Sequence, residues 1–183
     1  EGGHFKLHYH LAPHLIQAAG IRGVYFALWA PNAESVSVVG DFNGWKDTAH
    51  PLRVRDDGSG VWEGFFSDIG VGALYKYRLV SRNHRYTVEK ADPFAFCAEI
   101  PPRTASVVWD LNYPWGDQVW LAQRAQRNRM TAPLSIYEMH LGSWRRVPEE
   151  GDRPMTYREM ARPLAEYLRE MRFTHVEFMP ITE

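Results

Sequence analysis

Apolar and polar residues alternate with a period of two along most of the N-terminal half of the chain, which is the pattern of half-buried β-strands. Turn signals interrupt the alternation at intervals of about ten residues. The predicted strands cover residues 24–29, 36–38, 61–66, 74–80, 86–88 and 104–108. A series of short strands at this spacing is typical of an antiparallel β-sandwich of about 100 residues.

The pattern changes after Trp109. A connecting helix is predicted at 119–130, a strand at 134–141 and another strand at 174–179. Between those strands, Thr156 and Glu159 have the spacing of a capping box, and we expect Pro163 to kink the helix that follows or to mark its start. Strand, helix and strand in this order predict a right-handed βαβ unit with parallel strands.

One βαβ unit cannot cover both faces of its own sheet, so we expect the second domain to be incomplete. The expected organisation is an N-terminal extension at 1–19, a β-sandwich at 20–109, a linker and connecting helix at 110–131, and a βαβ unit at 132–183.

Composition narrows the possible functions. The formal net charge is -1, which argues against nucleic acid or an anionic membrane as a partner. The apolar runs are too short to span a bilayer, and no secretion leader is visible. Cys97 is the single cysteine, so we expect no internal disulfide and a cytoplasmic location. The sequence contains no strong metal-ligand spacing and no glycine-rich phosphate loop, so no metal and no cofactor is expected.

Aromatic residues are abundant, with seven Trp, nine Tyr and nine Phe. Trp45 stands out among them because it ends a predicted turn. The turn at 41–45 places Asn43 and Gly44 where a positive φ is cheap and ends on Trp45. An exposed indole there, with Lys76 and Tyr86 nearby, would form a platform for the apolar face of a sugar ring. Alternatively, Trp45 packs over the end of the sandwich as a core plug. The sequence leaves both interpretations open.

The carboxylates of the second segment do not define a catalytic site. Glu138 and His140 share one strand face, where they could be an acid/base couple, metal ligands, or polar groups that hydrogen-bond to each other. Glu177 and Glu183 are single carboxylates. A retaining glycosidase needs two carboxyl groups about 5–5.5 Å apart. No such pair can be assigned, and we therefore name no catalytic residue.

Several motifs in the same order carry a family resemblance. WAPNA at 29–33, VSVVGDFNGW at 36–45, LYKYR at 74–78 and KADPFA at 90–95 resemble the N-terminal glycan-binding module (family 48) of α-glucan-active enzymes. APLSIYEMHLGSWRR at 132–146 resembles the first barrel strand and following loop of 1,4-α-glucan branching enzymes, and FTHVEFMPI at 173–181 resembles their second strand. The resemblance covers the chain from about residue 20 to its end.

The resemblance implies an immunoglobulin-like sandwich followed by the start of a (β/α)8 barrel. The implied activity of the parent enzyme is cleavage of α-1,4 linkages and transfer of the chain to a 6-hydroxyl, which makes α-1,6 branches in glycogen. The implied partners are α-1,4-glucans (glycogen, amylose, maltooligosaccharides) and the missing remainder of the barrel. The family's catalytic carboxylates lie at the ends of later strands, so none is carried over, and we expect this stretch alone to be inactive.

For the binding module, Trp45 and Lys76 match positions that contact glucan in relatives, and Tyr86 falls near a second aromatic position. Two other functions remain open. The chain could be the matching part of a debranching or trehalose-releasing hydrolase, or a non-catalytic glycogen-binding module. The stretch at 142–146 favours branching, and a binding module alone leaves 132–183 unexplained.

Overall fold

The computed structural model describes residues 6–83 and 86–181, and it forms two units, one ending at Tyr113 and one beginning at Pro114. His84 of the turn after 74–80, Glu183, and the outer ends of the predicted segments 1–19 and 132–183 lie outside the described residues. Within those residues, no helix combines the length and the apolar character needed to cross a membrane.

The described part of the first unit is built from nine strands and two short 3-10 turns. The strands are β1 (His14–Ala18), β2 (Ile21–Trp29), β3 (Ala33–Gly40), β4 (Arg53–Val54), β5 (Val61–Phe66), β6 (Leu74–Ser81), β7 (Thr87–Lys90), β8 (Cys97–Ala98) and β9 (Ser106–Val107). The 3-10 turns are Leu7–Tyr9 and Asp41–Asn43.

These strands form two antiparallel sheets. One has the order β1-β2-β5-β4, and the other has the order β3-β6-β9-β8 with β7 paired to β6. Alternate residues of each sheet point into one shared core, among them Phe26, Val38, Tyr75 and Tyr77, which are fully buried. The predicted β-sandwich is confirmed.

The strands depart from the prediction mainly at the edges. β5 coincides with the predicted strand, and 104–108 contracts to the two residues of β9. β1 lies inside the segment predicted as an extension, yet its five residues pair with β2 in unbroken register. The alternation did not reveal β1 because its side chains are exposed or half-buried on both faces.

A buried carboxylate ties the second sheet together. Asp92 accepts hydrogen bonds of 2.8 Å from the Tyr75 hydroxyl and 3.3 Å from the Tyr77 hydroxyl, and its backbone N–H donates to Ser106 Oγ over 2.9 Å. Its other oxygen accepts from the Phe94 N–H at 2.8 Å. Burial raises the pKa of the Asp92 carboxyl, although the bonds from Phe94, Tyr75 and Tyr77 oppose the rise.

The second unit contains a parallel strand pair with a helix between the strands. Its elements are α1 (Gln118–Arg127), β10 (Ile136–Met139), α2 (Leu141–Trp144), β11 (Arg146–Val147), a 3-10 turn (Pro148–Glu150), β12 (Arg153–Pro154), α3 (Tyr157–Glu170) and β13 (His175–Phe178). β10 and β13 pair in parallel, as the βαβ prediction requires. The strand predicted at 134–141 was too long, because Leu141 already begins α2.

The start of α3 follows the capping box. The Thr156 side chain accepts from the Glu159 N–H, and the Glu159 carboxylate accepts from the Thr156 N–H at 2.7 Å. Pro163 lies inside the helix, so the interpretation of Pro163 as the helix start is wrong. The cap at Thr156 and the burial of Met160 and Leu164 against Met139 set the beginning of this helix.

Candidate functional site

The turn after β3 holds a tryptophan in an unusual backbone conformation. Gly44 and Trp45 both have a φ of 61°, and the Trp45 N–H donates to the Gly40 carbonyl over 2.8 Å. A left-handed conformation costs a residue with a Cβ about 1–2 kcal/mol. The sequence placed the positive φ at Asn43 and Gly44, but it falls one residue later because Asn43 belongs to the 3-10 turn.

The Asn43 side chain holds the turn in place. Its Oδ1 accepts from the Gly40 N–H at 2.9 Å, and its Nδ2 donates to the Val38 carbonyl at 3.0 Å and to His50 Nδ1 at 3.0 Å. These bonds fix the amide orientation, so His50 Nδ1 must be the acceptor. His50 Nε2 therefore carries the proton and donates to the Asp68 carboxylate at 2.9 Å.

Two glycines shape this turn for different reasons. A Cβ on Gly40 would collide with the Leu74 carbonyl oxygen and the Phe42 ring, so the backbone of β3 approaches β6 closely there. A Cβ on Gly44 would meet no heavy atom within 4 Å, but the φ of 61° strains any other residue. The turn thus requires space at one position and conformational freedom at the other.

Within the turn, one aromatic ring faces the core and another faces outward. Phe42 packs against the core cluster, whereas Trp45 is not among the described side chains that pack there. The Trp45 side chain is 37% exposed. The partial exposure of Trp45, together with its absence from the core cluster, favours the surface interpretation over the core plug.

Lys76 lies on the outer face of β6, next to this turn. It pairs with Val39 in the register of β3 and β6, and its Nζ donates to Thr104 Oγ1 over 2.8 Å. Two residues further along the same face, Arg78 lies 3.2 Å from the Asp47 carboxylate. Because Trp45 N–H bonds to Gly40 and Asp47 reaches Arg78, the chain from 45 to 47 runs over the outer face beside Lys76.

Sequence reasoning missed Thr104 and the ion pairs of Arg78. The alternation of β6 places Arg78 on the same face as Lys76, but nothing in the sequence identifies Asp47 and Glu89 as its partners. These contacts join Arg78 of β6 to Asp47, which precedes it by 31 residues, and to Glu89 of β7, which follows it by 11 residues. Only the folded register brings them together.

The structure does not bring Tyr86 to Lys76. The Tyr86 carbonyl accepts from the Ser81 N–H at 3.0 Å, so Tyr86 lies five residues further along β6, about 16 Å away. Val88, two residues after Tyr86, pairs with the inward-facing Leu79. Tyr86 is therefore on the side of the sheet opposite Lys76, and the predicted single platform of three residues is wrong in including it.

In the second unit, the strand register pairs two carboxylates. Glu138 of β10 lies directly opposite Glu177 of β13, and both are exposed. Of the three interpretations of Glu138 and His140, a hydrogen bond between their side chains is not found among the described residues, where His140 Nδ1 lies 3.0 Å from Ser143 Oγ. The sequence did not pair Glu138 with Glu177, because a parallel register cannot be read from the chain.

The antiparallel sandwich lies in the part of the chain that is similar to a known class of proteins, the carbohydrate-binding modules. Residues 10–95 match carbohydrate-binding module 48 (isoamylase N-terminal domain). The resemblance to this family, drawn from the motifs between 29 and 95, is confirmed.

Similar full-length proteins point to a particular enzyme. The whole chain is similar to the N-terminal region of 1,4-alpha-glucan branching enzymes GlgB. It is 54% identical over 185 residues to the enzyme of Myxococcus xanthus, where the alignment covers 25% of that enzyme. It is 50% identical over 183 residues to the enzyme of Aquifex aeolicus, where the alignment covers 29%. The chain thus spans about a quarter of the length of these relatives.

Solved structures of α-glucan enzymes share the fold. A Klebsiella pneumoniae pullulanase complexed with maltotriose is 26% identical with a TM-score of 0.63, and the match covers 94% of this chain and 18% of the pullulanase. A putative alpha amylase of Salmonella typhimurium is 23% identical with a TM-score of 0.64, covering 94% of this chain and 25% of the amylase. At that identity the likeness to the amylase shows the fold alone.

Proposed function

We propose that this chain is the glucan-binding N-terminal part of a 1,4-α-glucan branching enzyme and that its sandwich holds an α-1,4-glucan on the outer face at Trp45 and Lys76. The observation that carries the proposal is the left-handed Trp45, which is 37% exposed in the turn after β3, while Lys76 lies opposite Val39 on the neighbouring strand β6. Backbone strain of this kind persists only where the surrounding structure enforces it, and it clusters at ligand-binding sites.

The chemistry of the outer face suits a sugar chain. An indole buries the apolar C–H face of a pyranose ring, while an ammonium and a hydroxyl group bind the sugar hydroxyls. Lys76 Nζ and Thr104 Oγ1 supply those polar groups and already hold each other at 2.8 Å. The ion pairs of Arg78 with Asp47 and Glu89 keep the turn and β7 on either side of β6. The platform is thus formed before ligand arrives, which lowers the entropic cost of binding.

The parent enzyme, in this proposal, cleaves α-1,4 linkages in glycogen or amylose and transfers the chain to a 6-hydroxyl. Support comes from the names of the relatives and from the βαβ unit, which suits the first strands of a barrel. Further barrel strands would carry the catalytic carboxylates and would be the intramolecular partner of this unit. The single cysteine fits a cytoplasmic enzyme.

We propose that the 183-residue chain alone does not branch glucan. Chemistry in barrel enzymes takes place at strand ends, and the described residues supply only the parallel pair β10 and β13. An iodine-staining assay on amylose should show an unchanged absorbance maximum. A shift of that maximum with contaminant-free protein would overturn this part of the proposal.

A debranching hydrolase is the second candidate, and the pullulanase complexed with maltotriose is the observation in its favour. Branching is preferred because the chain is 54% identical to a branching enzyme over its whole length, against 26% for the pullulanase. A separate glycogen-binding module is less favoured because the match to branching enzymes covers 100% of the chain.

Glucan titration of single variants tests the platform. We expect Trp45→Ala to weaken binding of maltoheptaose at this face by about 1–3 kcal/mol, the scale of one stacked aromatic contact, and Lys76→Met to weaken it less. Trp120→Ala is the matched control, because Trp120 is an exposed tryptophan of α1 in the other unit. If Trp45→Ala and Trp120→Ala bind maltoheptaose as tightly as the parent chain, the platform is excluded.

A further inference from the structure

Tyr86 lines a cleft that is separate from the Trp45 platform. The cleft has a volume of about 350 Å³ and lies between the connection from β2 to β3 and the hairpin of β6 and β7. Two aromatic rings border it, and both are more exposed than Trp45: Trp29 is 61% exposed and Tyr86 is 55% exposed. Large aromatic side chains left open to water at the mouth of a cleft call for a physical explanation.

The wall that carries Trp29 is rigid. The Trp29 indole N–H donates to the Ser59 carbonyl over 2.9 Å, which fixes the ring. The Ala30 N–H donates to the Gly60 carbonyl at 2.9 Å, and the Trp62 indole donates to the Ala30 carbonyl at 3.0 Å. The connection after β2 is therefore held from two sides, and Trp29 stays exposed although its backbone is firmly bonded.

The opposite wall is equally well bonded. The Arg82 N–H donates to the Asn32 carbonyl at 3.1 Å, which joins the hairpin to the connection after β2. The Ser81 N–H donates to the Tyr86 carbonyl at 3.0 Å, which holds the backbone of Tyr86 beside the end of β6. A cleft with both walls fixed does not need to reorganise on binding.

The cleft is lined by both apolar and polar residues. Leu79 and Val88, a directly opposed pair of β6 and β7, are among the apolar ones. Lys90, Ser81 and Asn32 place an ammonium, a hydroxyl and an amide among the lining groups. Apolar surface for ring faces, together with a few polar groups for hydroxyls, is the combination that a sugar requires. The volume falls in the range of small-ligand sites.

We propose that this cleft is a second α-glucan-binding site, in which Trp29 and Tyr86 contact glucose rings and Lys90 contacts their hydroxyls. The inference rests on the proposed glucan-binding function of the sandwich. It assigns Tyr86 to a site of its own, on the side of the sheet opposite Lys76 and about 16 Å along β6. The sandwich therefore binds two glucan segments independently.

Binding stoichiometry on the 183-residue chain tests the second site. The probe is β-cyclodextrin, a closed ring of α-1,4-linked glucose that is too compact to occupy both faces at once. We expect calorimetry to give two rings per chain and the indole N–H signals of Trp29 and Trp45 to shift independently in NMR titrations. Tyr86→Ala should weaken binding at the cleft by about fivefold or more, while the ring at the Trp45 platform keeps the affinity that it has in the parent chain.

Tyr86→Ala is the preferred variant because the ring is exposed, whereas replacing Trp29 also removes its bond to Ser59. Tyr9→Ala is the matched control, since Tyr9 is a 59% exposed tyrosine in the same unit and does not line the cleft. One ring per chain that Trp45→Ala removes and Tyr86→Ala leaves unchanged overturns the second site and leaves the proposed platform standing. If β-cyclodextrin does not bind at all, both are overturned.

Discussion

Asn43 and His50 are joined side chain to side chain, with Asn43 Nδ2 donating to His50 Nδ1 over 3.0 Å. Through this bond the segment between β3 and β4 fastens the turn that presents Trp45. His50 is buried, and its Nε2 is hydrogen-bonded to Asp68. Nδ1 is therefore the ring nitrogen that accepts from Asn43 Nδ2. The geometry of an exposed indole thus depends on a bond beneath it.

Replacing Asn43 should therefore disturb the turn. Asn43→Ala removes the partners of the Gly40 N–H, the Val38 carbonyl and His50 Nδ1. Each buried polar group left unpaired costs about 1–3 kcal/mol, and we expect a loss of stability on that scale in urea unfolding. Glucan binding at Trp45 should fall as well, although the indole remains. Asn112→Ala is the control, because the bond from Asn112 N–H to Asp110 uses only its backbone. Equal stability of the two variants would contradict the role given to Asn43.

The left-handed backbone of Trp45 allows strain and ligand binding to be separated. Trp45→Gly relieves a conformation that costs about 1–2 kcal/mol, so it should be more stable than Trp45→Ala by about 1 kcal/mol. Both variants should lose platform binding to the same degree. Thermal melting and glucan titration of the two proteins provide the comparison. A core plug would instead cost about 3–5 kcal/mol of stability in both variants.

The buried Asp92 should give the first unit a measurable pH dependence. Burial raises its pKa in the folded state, so the stability that this carboxyl contributes is present in full below the unfolded pKa and is lost as pH rises through the folded pKa. Relative to Asp92→Asn, which does not titrate, the parent chain should gain stability as the pH falls from 7 toward about 4. Urea unfolding of both proteins at several pH values measures the difference. A difference that stays constant with pH would show that burial does not control this carboxyl.

Glu159 should show the opposite dependence. Its hydrogen bond from Arg153, followed by those from Thr156, lowers its pKa to about 2. Its contribution to α3 is present above its ordinary pKa of 4.5 and is lost as the pH falls from there through about 2. The protection factors of the amides at the start of α3, which compare each exchange rate with its intrinsic rate at the same pH, should therefore fall in acid in the parent chain, and Glu159→Gln should already show lower protection factors at pH 6. Glu166→Gln is the control, because Glu166 pairs with Arg162 on the exposed helix surface. Identical protection factors in Glu159→Gln and Glu166→Gln would contradict the role of Glu159 in stabilising the start of α3.

The sequence predicted the sandwich and the βαβ unit because both depend on local periodicity. β5 was placed to the residue, since Val61 begins a clear alternation after a glycine-rich turn. β1 was missed because an edge strand exposed on both faces leaves no periodic signal. The capping box was predicted from Thr156 and Glu159 alone. Arg153, which donates a hydrogen bond to Glu159, precedes the helix and has no characteristic spacing from the capping box, so it was not predicted.

The site was predictable only in part, and Tyr86 shows why. The alternation within β6 correctly placed Lys76 on the outer face, because a single strand determines which of its side chains lie together. The face of the sheet on which Tyr86 lies depends on how many residues the loop between β6 and β7 contains. A shift of one residue in register moves every side chain of β7 to the other face, and the sequence does not specify that register.

Gly40 and Gly44 give the turn a characteristic profile of mutational tolerance. Position 40 lacks room beside Leu74 and Phe42, so a library that samples all amino acids there should return glycine alone. Position 44 has room but a left-handed backbone, so the same library should also return asparagine, which tolerates that conformation best among residues with a side chain. The two glycines, four residues apart, should thus tolerate different sets of substitutions. Available volume limits the substitutions at Gly40, and the left-handed backbone limits those at Gly44.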